Sequence, residues 1–330
     1  MNIHTPELIC PAGTPAALRI AIEAGADAVY CGFADETNAR NFPGLNFSRE
    51  EMAQAIADAH DYDTKVLVAI NSFPRAGEQG LWHRAVDSAA EMGADAVILA
   101  DLGLCAYAAR VHPELRLHLS VQASASSAEA LLFYHENFGI KRAVLPRVLT
   151  VEEIADLCAA VPIEMEVFVF GGLCVMAEGR CSLSSYATGK SPNMNGVCSP
   201  ASHVHYVRQG EKIASQLGEF TINRVLDGEP VGYPTLCKGR FAANGEISYL
   251  FEEPASLNTV DMLPQLMDAG VAAFKIEGRQ RSRSYVQSVV SAFRQALDAY
   301  RRGEPSGAAR LNTLTEGGRD TTGAYERSWR

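Results

Sequence analysis

A chain of 330 residues, 47% of them hydrophobic, is long enough to bury a large core in one or two domains. Its formal net charge of −10 argues against a protein whose main task is gripping phosphate backbones, though it leaves room for a local basic patch around Arg279, Arg281 and Arg283. The amino terminus, Met1-Asn-Ile-His-Thr-Pro-Glu-Leu-Ile-Cys10, has no basic n-region or long apolar h-region, and no run approaches the length of a membrane span; a cytoplasmic protein with reduced thiols is expected.

Taken in chain order, the predicted elements alternate. One phrase recurs, as Ala24-Gly-Ala-Asp-Ala-Val29, Gly93-Ala-Asp-Ala-Val-Ile-Leu99 and Ala269-Gly-Val-Ala-Ala-Phe-Lys-Ile276. Each time glycine closes a helix-like stretch, where its freedom at positive φ is useful, and the apolar run after it reads as a strand buried on both faces. Outward from these anchors, strands are predicted at 7–10, 27–31, 65–71, 95–100, 116–121, 142–146, 163–170 and 272–276. Helix starts are marked by Ser48 with Glu51, Ser126 with Glu129 and Thr150 with Glu153, each spaced as a capping box. Helical periodicity follows in Leu81, Ala85, Ala89 and Met92, and in Val286, Val289, Phe293, Leu297 and Tyr300. Eight strands and eight helices in βα order predict an α/β fold, a (β/α)8 TIM-like barrel over residues 1–303. An open doubly wound sheet shares the alternation, and the element count favours the barrel.

One connection breaks the rhythm. Strand seven ends near Phe170 and its helix begins near Asn258, whereas βα loops usually run about 2–6 residues. Residues 171–256 are therefore assigned to an insertion, which leaves the carboxyl end of a strand, the face where barrel enzymes build their sites. It contains Cys174, Cys181, Cys198 and Cys237; Cys10, Cys31, Cys105 and Cys158 are scattered and read as small hydrophobes, with Cys10 and Cys31 near strand ends that could line a pocket. Residues 304–330, rich in Gly, Thr, Ser and Arg, read as a tail that wraps the barrel or stays mobile.

The spacing Cys-x6-Cys-x16-Cys-x38-Cys has no close pair of the kind zinc ribbons and compact ferredoxins use. Four thiolates still suit an iron–sulfur cluster or a structural zinc, and Gly171, Gly172, Gly179, Gly196 and Gly239 would let backbone amides approach. Spacing alone leaves iron–sulfur, zinc and four unrelated cysteines open. Substrate contacts are expected at strand ends: Asn71, Gln122 with Ser124, Arg147, Glu277 and Arg279, joined by Arg40 from the loop after strand two. A guanidinium grips a carboxylate through paired hydrogen bonds, so an anion such as a dicarboxylate would suit Arg147 or Arg279. Glu164 and Glu166 share one strand face with Phe168 and Phe170, which would aim at least one carboxylate into the barrel, where it could donate a proton; Glu166 is counted among the substrate contacts. Such charges equally serve to tie strands together, Arg279 with Glu166 being the pair to look for. None of His112, His118, His135, His203 and His205 announces itself as a base beside a cysteine, and no His-Glu-x-x-His occurs, so proteolysis is not expected.

From Glu166 to Ser184 the chain reads Glu-x-Phe-x2-Gly-small-aliphatic-Cys-x4-Gly-x-Cys-x-aliphatic-Ser, with Gly172 where Ser or Ala is usual. Further motifs are Leu8-Ile-Cys-Pro-Ala-Gly13, Thr37-Asn-Ala-Arg40, Gly44-Leu-Asn-Phe47, Ser120-Val-Gln-Ala-Ser124, Val144-Leu-Pro-Arg147, Gly232-Tyr-Pro-Thr-Leu-Cys-Lys-Gly-Arg240, Lys275-Ile-Glu-Gly-Arg-Gln-Arg281 and Thr321-Thr-Gly-Ala-Tyr325. Almost end to end, the chain resembles the collagenase-like peptidase family U32, and within it the branch serving oxygen-independent ubiquinone biosynthesis. The resemblance implies that Cys174, Cys181, Cys198 and Cys237 hold one 4Fe-4S cluster. It also implies a heterodimer with the paralogue UbiV, cooperation with the lipid-carrier protein UbiT, and hydroxylation of the aromatic ring of a polyprenylated quinone precursor, with prephenate as oxygen donor. Four cysteine ligands would fill every iron corner, which points to electron transfer unless one cysteine dissociates. Two rival expectations remain: hydroxylation of a base in RNA, against which the acidic charge and the absence of the further carboxy-terminal domain of such relatives weigh, and a non-catalytic redox or scaffold role.

Overall fold

A computed structural model describes residues 5–42, 44–174, 181–190, 192, 198–226, 228–229, 232–304 and 311–327. Strands β1 (Glu7–Pro11), β2 (Ala28–Cys31), β3 (Lys65–Ile70), β4 (Ala96–Leu99), β5 (Leu117–Leu119), β6 (Arg142–Val144) and β7 (Glu164–Gly172) pair in parallel in chain order. Helices α1 (Pro15–Glu23), α2 (Arg49–His60), α3 (Gly80–Glu91), α4 (Leu102–Val111), α5 (Ala128–Phe138) and α6 (Val151–Ala160) lie between them. Beyond β7 come α7 (Ser182–Thr188), an antiparallel sheet of β8 (Val204–Gln209), β9 (Lys212–Leu217) and β10 (Phe220–Leu226), and a hairpin of β11 (Arg240–Ala243) and β12 (Glu246–Tyr249). Strand β13 (Ser256–Asn258) and α8 (Leu263–Asp268) lead back to β14 (Ala273–Ile276), which pairs in parallel with both β7 and β1, and α9 (Arg283–Arg301) follows. The sheet is therefore a closed eight-stranded barrel, as the alternation predicted.

Local chemistry explains the helix starts. Ser48 with Glu51 and Thr150 with Glu153 form reciprocal capping boxes. At α5 the cap is Ser127, which accepts from the Ala130 amide, and not Ser126. The large core lies between strands and helices; α9 contributes Val286, Val289, Val290, Phe293 and Leu297, each worth about 1.5–3 kcal/mol when fully buried.

The bore is filled differently. Ile9, Ala28, Tyr30, Leu67, Ala69, Ala96, Ile98 and Ala273 make a separate apolar cluster. Beside it runs a chain of ion pairs: Lys65 to Glu7 at 2.5 Å, Arg142 to Glu7 at 2.7 Å, Arg116 to Glu164 at 2.7 Å, Arg142 to Glu166 at 3.6 Å and Lys275 to Glu166 at 2.6 Å. Arg142 also donates from Nε to Glu164 at 2.7 Å. His118 is buried among these cations; burial first, then the charges of Arg142 and Arg116, hold its pKa well below the usual value, so the neutral ring accepts from Arg116 Nε at 3.0 Å.

Two expectations are corrected here. Residues 256–258 begin no helix; they form β13, antiparallel to the end of β7. Phe170 does not share the face of Glu166 and Phe168, because a register shift between Lys275 and Ile276 on β14 pairs these two with Phe168 and Phe170 of β7. The shift turns Phe170 outward, where its ring lies 6.1 Å from Tyr285 and 5.9 Å from Phe293.

The described part of the tail straps the insertion to the barrel. Strand β15 (Asp320–Thr321) pairs in parallel with β13, and the buried Tyr325 hydroxyl donates to the Phe168 carbonyl at 2.6 Å. Tyr325→Phe should cost about 1 kcal/mol, read as a lower urea midpoint with an unchanged m-value. Residues 305–310 and 328–330 of the predicted tail lie outside the described residues.

Candidate functional site: a cationic cavity beside four cysteines

At the carboxyl ends of the strands an open-mouthed cavity of about 50 Å3 is lined by Tyr30, Ser120, Phe168 and Lys275 together with Arg40, Asn71, Gln122, Arg147, Glu277 and Arg279. Six of the eight substrate contacts expected from sequence thus meet around one space. Ser124 is not among the lining residues, and Glu166 does not line the cavity either: its carboxylate is fully buried lower in the barrel against Lys275 and Arg142. Arg279 is not its partner; it donates to Asn38 Oδ1 at 2.9 Å. Burial first, then the nearby Arg40 charge, lowers the Arg279 pKa to about 10, so the guanidinium stays charged at neutral pH. Because Arg279 is buried, it forms no exposed basic patch with Arg281 and Arg283, and Arg281 pairs with Glu316 at 3.5 Å.

Loop chemistry holds these groups in place. Asn38 donates to Asn46 Oδ1 at 2.8 Å, and Asn71 Oδ1 accepts from the Ala39 amide at 3.2 Å, which fixes the loop carrying Arg40. The Arg147 guanidinium lies 3.5 Å over the Phe168 ring. Glu277 accepts from the Gly172 amide at 3.2 Å, and a Cβ on Gly171, whose φ is +120°, would come within 2.6 Å of Glu277. Glycine is required there, and it leads the chain from the cavity wall directly to Cys174. Among the lining residues, Tyr30, Ser120 and Lys275 were not foreseen.

Among the described residues the four cysteines form no disulfide, and each is half-buried. They share one neighbourhood: burial, followed by the charges of Cys198, Cys174 and Cys181, pushes the Cys237 thiol up to about 12. Cys198 is also raised, by burial first, while the charge of Arg40 from the cavity wall opposes the rise. Cys181 caps α7, its sulfur accepting from the Ser184 amide at 3.4 Å. Among the described residues no three His, Cys, Asp or Glu side chains are gathered closely enough to hold a metal ion. The donor set nonetheless fits a thiophilic centre: four reduced sulfurs, mutually repelling once ionised, gain from a cation that displaces their protons. Of the glycines expected to admit backbone amides, Gly179 and Gly196 lie outside the described residues.

The cysteines form no protease dyad with the histidines whose partners are seen. His112 pairs with Asp87 at 2.7 Å, His135 meets the Ile140 carbonyl at 2.9 Å, and His203 meets Ser202 at 3.0 Å. Among the described residues no helix is long and apolar enough to cross a membrane.

Similar proteins carry two kinds of name. The tRNA hydroxylation protein P of Escherichia coli is 32% identical over 327 residues, covering 94% of this chain and 71% of its own length. An uncharacterized protease of Methanocaldococcus jannaschii is 33% identical, covering 89% and 65%. The 23S rRNA 5-hydroxycytidine C2501 synthase of Escherichia coli is 31% identical, covering 91% of this chain but 40% of its own length. The model of peptidase family U32 matches residues 13–325, from the turn after β1 through barrel, insertion and tail, and the chain belongs to that family.

Proposed function

We propose that this chain is the iron–sulfur subunit of an oxygen-independent hydroxylase, with the role of UbiU in ubiquinone biosynthesis. The observation that carries the reading is that the cavity wall runs directly into the cysteine-bearing segment. Arg40 and Glu277 line the cavity, and Glu277 holds the backbone two residues before Cys174. The names of two relatives support hydroxylation in general.

In this reading Cys174, Cys181, Cys198 and Cys237 hold a 4Fe-4S cluster, which would supply single-electron chemistry at the cavity wall. The protein's own residues bind and orient. Arg147 and Arg279 take the carboxylates of an anionic oxygen donor, with prephenate the candidate, and Arg40 screens charge between donor and sulfurs. Asn71 and Gln122 set the donor's orientation by neutral hydrogen bonds. The polyprenylated ring precursor would be delivered with UbiT, and UbiV would complete the heterodimer.

The net charge of −10 supports a quinone precursor over a polynucleotide, whereas the names of the RNA-modifying relatives favour hydroxylation of an RNA base. A strain lacking the gene, grown without oxygen, separates these readings by mass spectrometry of quinones and nucleosides. Loss of ring-hydroxylated quinone intermediates, restored by the wild-type gene, supports the proposal. Loss of a hydroxylated nucleoside with normal ubiquinone would replace it with the RNA reading, and no change in either would leave a redox or scaffold role.

A further inference from the structure

Lys275 stands out among the cavity residues because the strand around it, Ala273–Ile276, is otherwise apolar. A lysine there is costly unless it is paired and serves a purpose. Its ammonium is held by two groups: Glu166 Oε1 at 2.6 Å and the face of the Tyr30 ring, with Nζ 3.8 Å from the centroid. Only 6% of the side chain remains accessible, and it contributes to the cavity lining.

An ammonium has three N–H donors. One points to Glu166 and one side of the group rests on Tyr30, which leaves donor capacity for the space above. The other cations, Arg40, Arg147 and Arg279, stand beyond the ends of the strands, whereas Lys275 lies within β14 and so sits at the floor. Glu166 in turn is tied to Arg142 at 3.6 Å, so the ammonium is fixed from below. A rigid cation on the floor meets an incoming anion without first losing side-chain freedom.

We infer that Lys275 is a ligand-contacting residue, which holds from the cavity floor an anionic oxygen of the small carboxylate that fills the site, while the arginines grip it from the rim. This rests on the reading of the cavity as the place where the oxygen donor binds, and is independent of the cluster. Glu166 is accordingly the counter-ion of this lysine and touches no ligand itself.

The test is calorimetric titration of the full chain with malonate, with neutral malonamide as control and prephenate in parallel. Wild type is expected to bind malonate and not malonamide. Lys275→Met should weaken malonate at least tenfold. Because that variant leaves Glu166 buried beside Arg142 alone, Lys275→Met combined with Glu166→Gln provides a charge-neutral pair that should fold and show the same loss. Malonate binding equal to wild type in either variant, or none in wild type, overturns the inference. Malonate bound through Lys275 but prephenate refused would uphold the floor contact and remove prephenate from the proposed function.

Discussion

Anaerobically purified protein should carry about four irons and four sulfides and a brown chromophore, and Ala in place of any one of Cys174, Cys181, Cys198 or Cys237 should abolish all three. Cys105→Ala should change nothing, since Cys105 is buried in the barrel core. The expected effect is large because, among the described residues, the insertion has only a small apolar core of its own. Its own buried apolar cluster consists of Leu217, Ile222 and Leu236, with Leu183, Ala187, Val204 and Phe241 partly covered. So small a cluster does little to offset the conformational entropy of the segment, and a metal centre that binds only the folded form adds its binding free energy to the stability of the insertion. Loss of iron should therefore be accompanied by rapid proteolysis within residues 174–256, while the barrel core survives. Zinc instead of iron, or iron retained in all four variants, would defeat the cluster assignment.

Arg142→Met is expected to destabilise the barrel by about 3 kcal/mol, measured by urea or thermal unfolding. Arg142 is 4% exposed and meets Glu7, Glu164 and Glu166, so its removal takes one of two cations from each carboxylate and leaves the fully buried Glu166 with Lys275 alone. The pH dependence fixes the sign. Burial alone would raise the pKa of Glu7, but the hydrogen bond from Lys65 and the charge of Arg142 outweigh it and leave the pKa below its ordinary 4.5. Glu164 behaves alike, burial being outweighed by Arg142 and Arg116. Groups with depressed folded-state pKa values stabilise the fold above the unfolded value and lose that contribution as pH falls. The gap between wild type and Arg142→Met should thus be full at pH 7 and narrow as pH falls below about 4.5 toward the depressed folded-state values. A gap that does not depend on pH would mean that Arg142 acts through packing alone.

The barrel was legible because each buried strand follows a glycine-closed helix, so that pattern and local chemistry agree. Details decided by tertiary geometry were not. Ser126 and Ser127 are both hydroxyls, and only the path of the backbone selects Ser127 as the cap. Strand β13 is three residues long and takes its order from β7 and β15, which no local pattern announces. The cavity arginines could be found because polar residues just past apolar strands are conspicuous. Tyr30 and Lys275 lie inside apolar runs and read as core and as a solitary charge until Glu166 is placed beneath them. Glu166 was assigned to the substrate for the complementary reason: its strand-face position is visible in the sequence, but its partners from β6 and β14 are not.

The ion chain in the bore also bears on the order of assembly. Arg142 on β6 reaches Glu7 on β1, so these two charges pair only when the sheet curls round and brings both strands to the bore. A partly built barrel gains nothing from desolvating them and is better off leaving them in water. The bore therefore discourages stable half-barrels, and closure should be a late, all-or-none event that follows docking of helices onto the strands.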